Sequence, residues 1–139
     1  MFVDAMDIVS LSAWRLTCIA NYHQVCGSLR RYLMRMLRIF VPCPQLLADV
    51  VTDSHAVFGG EVALAFFLRD PAYLPTHLEI YVGHSEFEAM CDAILDDPNI
   101  RATIEDHIYT NNTVFNALRQ MVSCTLTIRT SFGRTIYVH

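Results

Sequence analysis

Between Asp7 and Phe40 apolar residues recur at three- and four-residue spacing, the period of a helix that buries one face. Leu29, Tyr32, Leu33, Met36, Leu37 and Phe40 form the clearest stripe, while Arg30, Arg31, Arg35 and Arg38 fall mostly on the opposite side. Two helices are expected here, broken near Gly27, with Ser28 as the N-cap of the second. Pro42 and Pro44 then punctuate the chain, and a short helix is expected from Gln45 to about Val51.

The period changes after Ser54. Ala56 to Phe58 reads as a short buried strand, Gly59 and Gly60 as a tight turn, and Glu61 to Leu68 as a helix. From His77 to Val82 the residues Leu78, Ile80 and Val82 alternate with His77, Glu79 and Tyr81, the two-residue period of a half-buried strand. Ser85 with Glu88 has the spacing of a capping box, and Phe87, Met90, Cys91 and Ile94 supply the buried stripe of a helix ended by Asp96, Asp97 and Pro98. Arg101 to Gln120 is ambiguous, with Asn111 to Thr113 breaking or capping it. Thr125 to Thr130 and Thr135 to His139 alternate around a turn containing Gly133, predicting a terminal β-hairpin. The expected fold class is α/β (α+β): a small mixed sheet with helices, preceded by an N-terminal helical hairpin. The 139 residues suit one domain, with 1–53 as its helical segment and 54–139 as its α/β core.

With 53 % apolar residues the chain can bury one core and leave apolar surface over, which excludes disorder. No apolar run approaches the roughly 20 residues needed to cross a bilayer. Asp4 and Asp7 precede the first apolar stretch, where an export signal carries positive charge. Cys18, Cys26, Cys43, Cys91 and Cys124 are odd in number and form no CxxC pair, as expected of reduced thiols rather than a disulfide framework or zinc site. An intracellular location, cytoplasm or nucleus, follows. All ten basic residues are arginines, and five of them face only Asp4 and Asp7 in the first 45 residues, about +3 there against about −7 in the rest. Mutual attraction of the two parts is the favoured reading. The overall charge of −4 argues against a nucleic-acid partner.

One constellation carries chemistry. A strand, two glycines, a helix and a strand with polar side chains at alternate positions can bring a triphosphate to backbone amides and hold divalent cations with carboxylates two residues apart. The stretch "VFGGEVALAFFLRDPAYLPTHLEIYVG" resembles the signature of the nucleotidyltransferase superfamily, especially a fungal group reading GS, a helix, then P-x-DLDIYV. The likeness runs from about Ser54 to His139 if "FGRTIYVH" is the later strand of that group. It implies that Gly59 and Gly60 stand at the nucleotide-binding glycine pair and that Glu79 matches the second catalytic carboxylate. His77 takes the place of the first metal-binding aspartate, and Tyr137 that of the third, with Thr127 on the preceding strand as the other alignment. One carboxylate in three cannot hold two magnesium ions, since hard cations need several oxygen ligands.

The fold is thus implied without its chemistry, and the expected function is that of a non-catalytic domain binding a protein partner or itself as a homodimer, with no membrane partner. No cofactor is expected. Magnesium or a transition metal enters only with the alternative, a divergent nucleotidyltransferase whose metal site is rebuilt around Glu79. His77, Glu79 and His139 could form a site for zinc, copper or nickel if their strands are neighbours. A further alternative is an adaptor, because "DIVSLSAWRLTCIANYHQVCGSLRRYL" resembles the later half of an F-box, without its opening leucine-proline. Trp14, Leu16, Ile19, Tyr22 and Val25 exceed what one buried stripe requires and form the expected interaction patch. Cys124 is read as a core cysteine rather than a thiolate activated by His139 or His107.

Overall fold

The computed structural model describes residues 2–70, 72–109 and 124–139. A 3-10 turn, Phe2–Ala5, leads into α1 (Ile8–Trp14), α2 (Ile19–Leu37) and α3 (Pro44–Asp53). The α/β part follows as β1 (Val57–Gly59), α4 (Gly60–Leu68), β2 (His77–Tyr81), α5 (Phe87–Asp96), β3 (Ala102–Tyr109), β4 (Cys124–Thr130) and β5 (Thr135–Val138). The strands form one mixed sheet in the order β1-β2-β5-β4-β3, with β2 and β5 parallel and the other neighbours antiparallel. This is the expected α+β class. No helix among the described residues is long and apolar enough to cross a membrane.

The alternation in β2 sorts its side chains as expected. Leu78 and Ile80 are fully buried, together with Ile136 and Val138 of β5 and Leu126 and Ile128 of β4. Against them pack Met36, Leu37 and Phe40 at the end of α2, Leu47 and Val51 of α3, Val62 and Ala65 of α4, and Met90, Cys91 and Ile94 of α5. His77, Glu79, Tyr81, Tyr137 and His139 occupy the intervening positions and so line the other face of the sheet. A second, smaller cluster of Val3, Leu11 and Val25 holds the N-terminal turn and α1 against α2.

Several local expectations are corrected. The helices break at 15–18, not at Gly27, and α2 runs through Gly27 unbroken. A glycine inside a helix costs only about 1 kcal/mol, and here Val25 is buried and the Ser28 hydroxyl donates to Asp4 Oδ1 at 2.6 Å, so tertiary contacts outweigh it. Ser28 is therefore no N-cap. Asp7 caps α1 by accepting from the Ser10 amide at 2.9 Å, and Thr17 closes that helix by donating to the Trp14 carbonyl at 2.8 Å. Ser85 does not cap α5 either: Gly83 and Glu86 close a turn, and the helix begins at Phe87 with no side-chain cap. The attraction expected between the basic first third and the acidic remainder takes no ion-pair form among the described residues, where the one salt bridge of the N-terminal arginines is Arg31 to Asp4, within that same third. Arg30, Arg31, Arg35 and Arg38 are all exposed, as the helical period predicts. The ambiguous stretch contributes β3, and its part at 110–120, including Asn111 to Thr113, lies outside the described residues.

Candidate functional site

Gly59 ends β1 and Gly60 opens α4, at the edge where β1 pairs with β2. Gly60 has φ +55°, in the left-handed region that favours glycine. A methyl group there would sit 2.5 Å from the Glu79 carboxyl group. At Gly59 the backbone is extended, and a methyl would collide with the Tyr81 ring. Both glycines are thus needed for close approach, and what approaches each is a side chain of β2.

Register does the rest. Side chains two apart on β2 share a face, so His77, Glu79 and Tyr81 stand in one row, with Tyr137 of β5 directly beside Glu79 and Thr127 of β4 beside Tyr137. Glu79 spends both carboxylate oxygens within this row: Oε1 lies 2.9 Å from His77 Nε2, and Oε2 accepts from the Tyr81 hydroxyl at 2.7 Å. On its other side, His77 Nδ1 lies 3.1 Å from the Thr76 hydroxyl and 3.6 Å from Glu61 Oε2, the carboxylate that α4 contributes. Glu61 in turn accepts from the Thr76 amide and hydroxyl at 2.6 and 2.8 Å. His139 stacks on Tyr81 with ring centroids 4.8 Å apart, and its Nδ1 lies 3.0 Å from the Thr125 hydroxyl. Tyr137 meets the His77 ring edge to face at 5.5 Å.

The structure therefore brings Gly59, Gly60, His77 and Glu79 together, sets Tyr137 beside Glu79, and holds His139 past the end of the neighbouring strand against aromatic rings. Among the described residues no three His, Cys, Asp or Glu side chains are arranged to hold a metal ion. Nor does the donor set fit two magnesium ions. The Glu79 carboxylate already has a partner on each oxygen, and its neighbours present imidazole and phenol where hard cations need oxygen anions. Glu61, a carboxylate from outside the strand, joins the row at His77 Nδ1, across the imidazole from Glu79 at Nε2. Cys124 and Cys91 are buried beneath the sheet; burial pushes the Cys91 thiol up to about 12 and raises that of Cys124, the opposite of an activated thiolate.

No family model, curated protein or solved structure matches this chain.

Of the depressed groups, His139 and Glu79 are the partly buried ones. Burial holds His139 below the ordinary histidine value, with the Glu79 charge acting against it. For Glu79 burial is the largest influence and acts upward, but the hydrogen bonds from Tyr81 and His77 and the positive charge of the two histidines together outweigh it, so its carboxyl lies below the usual range. In both cases the unfolded chain takes up the proton first, so stability rises with pH. It is complete above about pH 6.5, falls as His139 is forced to charge, and falls again below about pH 4.3 as Glu79 protonates. Urea midpoints measured across this range should show two steps, and His139→Asn should remove only the upper one. A midpoint that is flat from neutral pH down to the carboxylate range would mean that His139 is not held neutral by the fold.

Proposed function

We propose that this chain is a non-catalytic domain of nucleotidyltransferase-like fold that acts by protein contact, pairing with a second copy of itself. The observation that carries the reading is the open face of α4. Helix α4 is apolar almost all round, which ordinarily marks a helix covered on every side. Val62 and Ala65 are buried against the sheet, yet Leu64, Phe67 and Leu68, at helical spacing, are 48, 59 and 57 % exposed, and Leu74 beyond them 69 %. An apolar face of this kind on a small domain is characteristic of an interface, and a two-fold dimer is the simplest closed way to cover it. The non-catalytic half of the reading is supported by the glycine turn, where Tyr81 and Glu79 pack directly against Gly59 and Gly60.

The sequence placed the contact patch elsewhere. Of its five residues Val25 is fully buried and Trp14 half-buried, while Leu16, Ile19 and Tyr22 are exposed at 79, 77 and 47 %. That exposure favours a second reading, an adaptor whose N-terminal helices dock on another protein. Sedimentation equilibrium at micromolar concentration separates the two. The dimer reading expects a mass of twice 15.8 kDa, shifted to monomer by Phe67→Ser and unchanged by Ile19→Ser. Loss of the dimer in Ile19→Ser alone would move the contact to the N-terminal helices, and a monomer that stays soluble when concentrated would contradict self-association.

A further inference from the structure

On the arginine side of α2 a cavity of about 580 Å³ opens between that helix, the N-terminal turn and the end of α4. Arg31, Tyr32, Arg35 and Arg69 line it, with Asp4 and Ser28 at one end. Three arginines thus line one cleft, with Asp4 and Asp7 as its acidic residues. Arg31 and Arg35 are four residues apart on one helix face, a spacing at which like charges repel. Arg69 is delivered by the chain reversal that ends α4, where it has φ +53°, an uncommon conformation for a residue with a side chain.

The carboxylates nearby neutralise this set only in part. Asp4 accepts from Ser28 and pairs with Arg31 at 3.2 Å, Asp7 is committed to the α1 cap through Ser10, and Asp70 accepts from the Ala72 amide at 2.9 Å. Arg69 Nη2 donates to the Asp4 carbonyl at 3.1 Å and its guanidinium carbon stands 5.2 Å from the Tyr32 ring centroid, but its Nε and Nη1 are buried with no hydrogen-bond partner. The Arg35 side chain is exposed and has no ion pair or hydrogen bond to the described residues. Buried donors are normally satisfied, and a charged one without an acceptor is a place where something is missing. A compact anion with several acceptor oxygens matches forked guanidinium donors better than a single carboxylate does.

We infer that this cleft binds a terminal phosphate group, held by Arg31 and Arg35 from α2 and by the fixed charge of Arg69. The inference is independent of self-association, which concerns the apolar face of α4. The phosphate can belong to a small ester or to a phosphorylated side chain, so both are titrated by calorimetry at fixed ionic strength: glycerol phosphate against glycerol, and a phosphoserine peptide against its unphosphorylated form. Saturable binding of one phosphorylated member is expected, weakened about tenfold in Arg35→Gln. Arg35 is exposed and holds no other element in place, so that variant keeps the fold. Arg15→Gln, an exposed arginine outside the cleft, should leave the affinity unchanged. Tighter binding of the peptide assigns a phosphoprotein ligand and tighter binding of the ester a small molecule. Absence of saturation with both, or equal weakening by Arg35→Gln and Arg15→Gln, would overturn the site.

Discussion

Gly60→Ala should destabilise the protein by about 3 kcal/mol, an effect far larger than a single methyl group produces on an ordinary helix. A left-handed conformation costs a residue with a side chain roughly 1–2 kcal/mol. The added methyl also meets the Glu79 carboxyl group at 2.5 Å and must displace it from His77 and Tyr81. Each lost hydrogen bond contributes about 1 kcal/mol. Because the second part runs through Glu79, the two positions must couple. Glu79→Ala alone removes the bonds, and Gly60→Ala on that background should cost only the conformational share, so the double variant is more stable than the sum of singles by about 1–2 kcal/mol. Urea denaturation of the four proteins measures this, and strict additivity would mean that Glu79 does not rest on the glycine turn.

Phe40→Ala is expected to cost about 3–5 kcal/mol, the range for a fully buried aromatic side chain. Phe40 is 0 % exposed and belongs to the same cluster as Leu78, Ile80 and Ile136 of the sheet. It follows α2, so its loss loosens the N-terminal helices and the α/β part together. The unfolding should stay one cooperative transition, with helical signal and near-ultraviolet aromatic signal lost at the same lowered denaturant midpoint. Separate transitions would show that residues 1–53 form an independent helical unit, the arrangement an autonomous adaptor motif requires.

What the sequence makes legible is what local period and chemistry determine. Leu78 and Ile80 point inward because alternation leaves no other choice, the hairpin closes at Gly133 with φ +69°, and the arginines of α2 face outward. The glycine pair is equally readable, since few other residues suit a turn that a carboxylate and a phenol ring overlie. Contacts made across the chain are another matter. Gly27 continues its helix because Ser28 reaches Asp4, 24 residues away, and Val25 is buried rather than exposed because the N-terminal turn folds over it. Nothing in the local pattern encodes either event. Glu61 joins His77, and Arg69 joins Arg31 and Arg35, for the same reason: the geometry of α4 and its two ends brings distant residues together. The apolar face of α4 was legible in principle, since a nine-residue helix carrying Val62, Leu64, Phe66, Phe67 and Leu68 has more apolar side chains than one sheet face can cover.

The proposal that Glu79 and Tyr81 fill the glycine turn is checked by calorimetric titration with magnesium and each nucleoside triphosphate, read beside Arg35→Gln to set aside any phosphate bound in the arginine cleft. No binding that depends on Glu79 is expected. Micromolar binding that survives Arg35→Gln and vanishes in Glu79→Gln would contradict it and restore the glycine turn as a working nucleotide site.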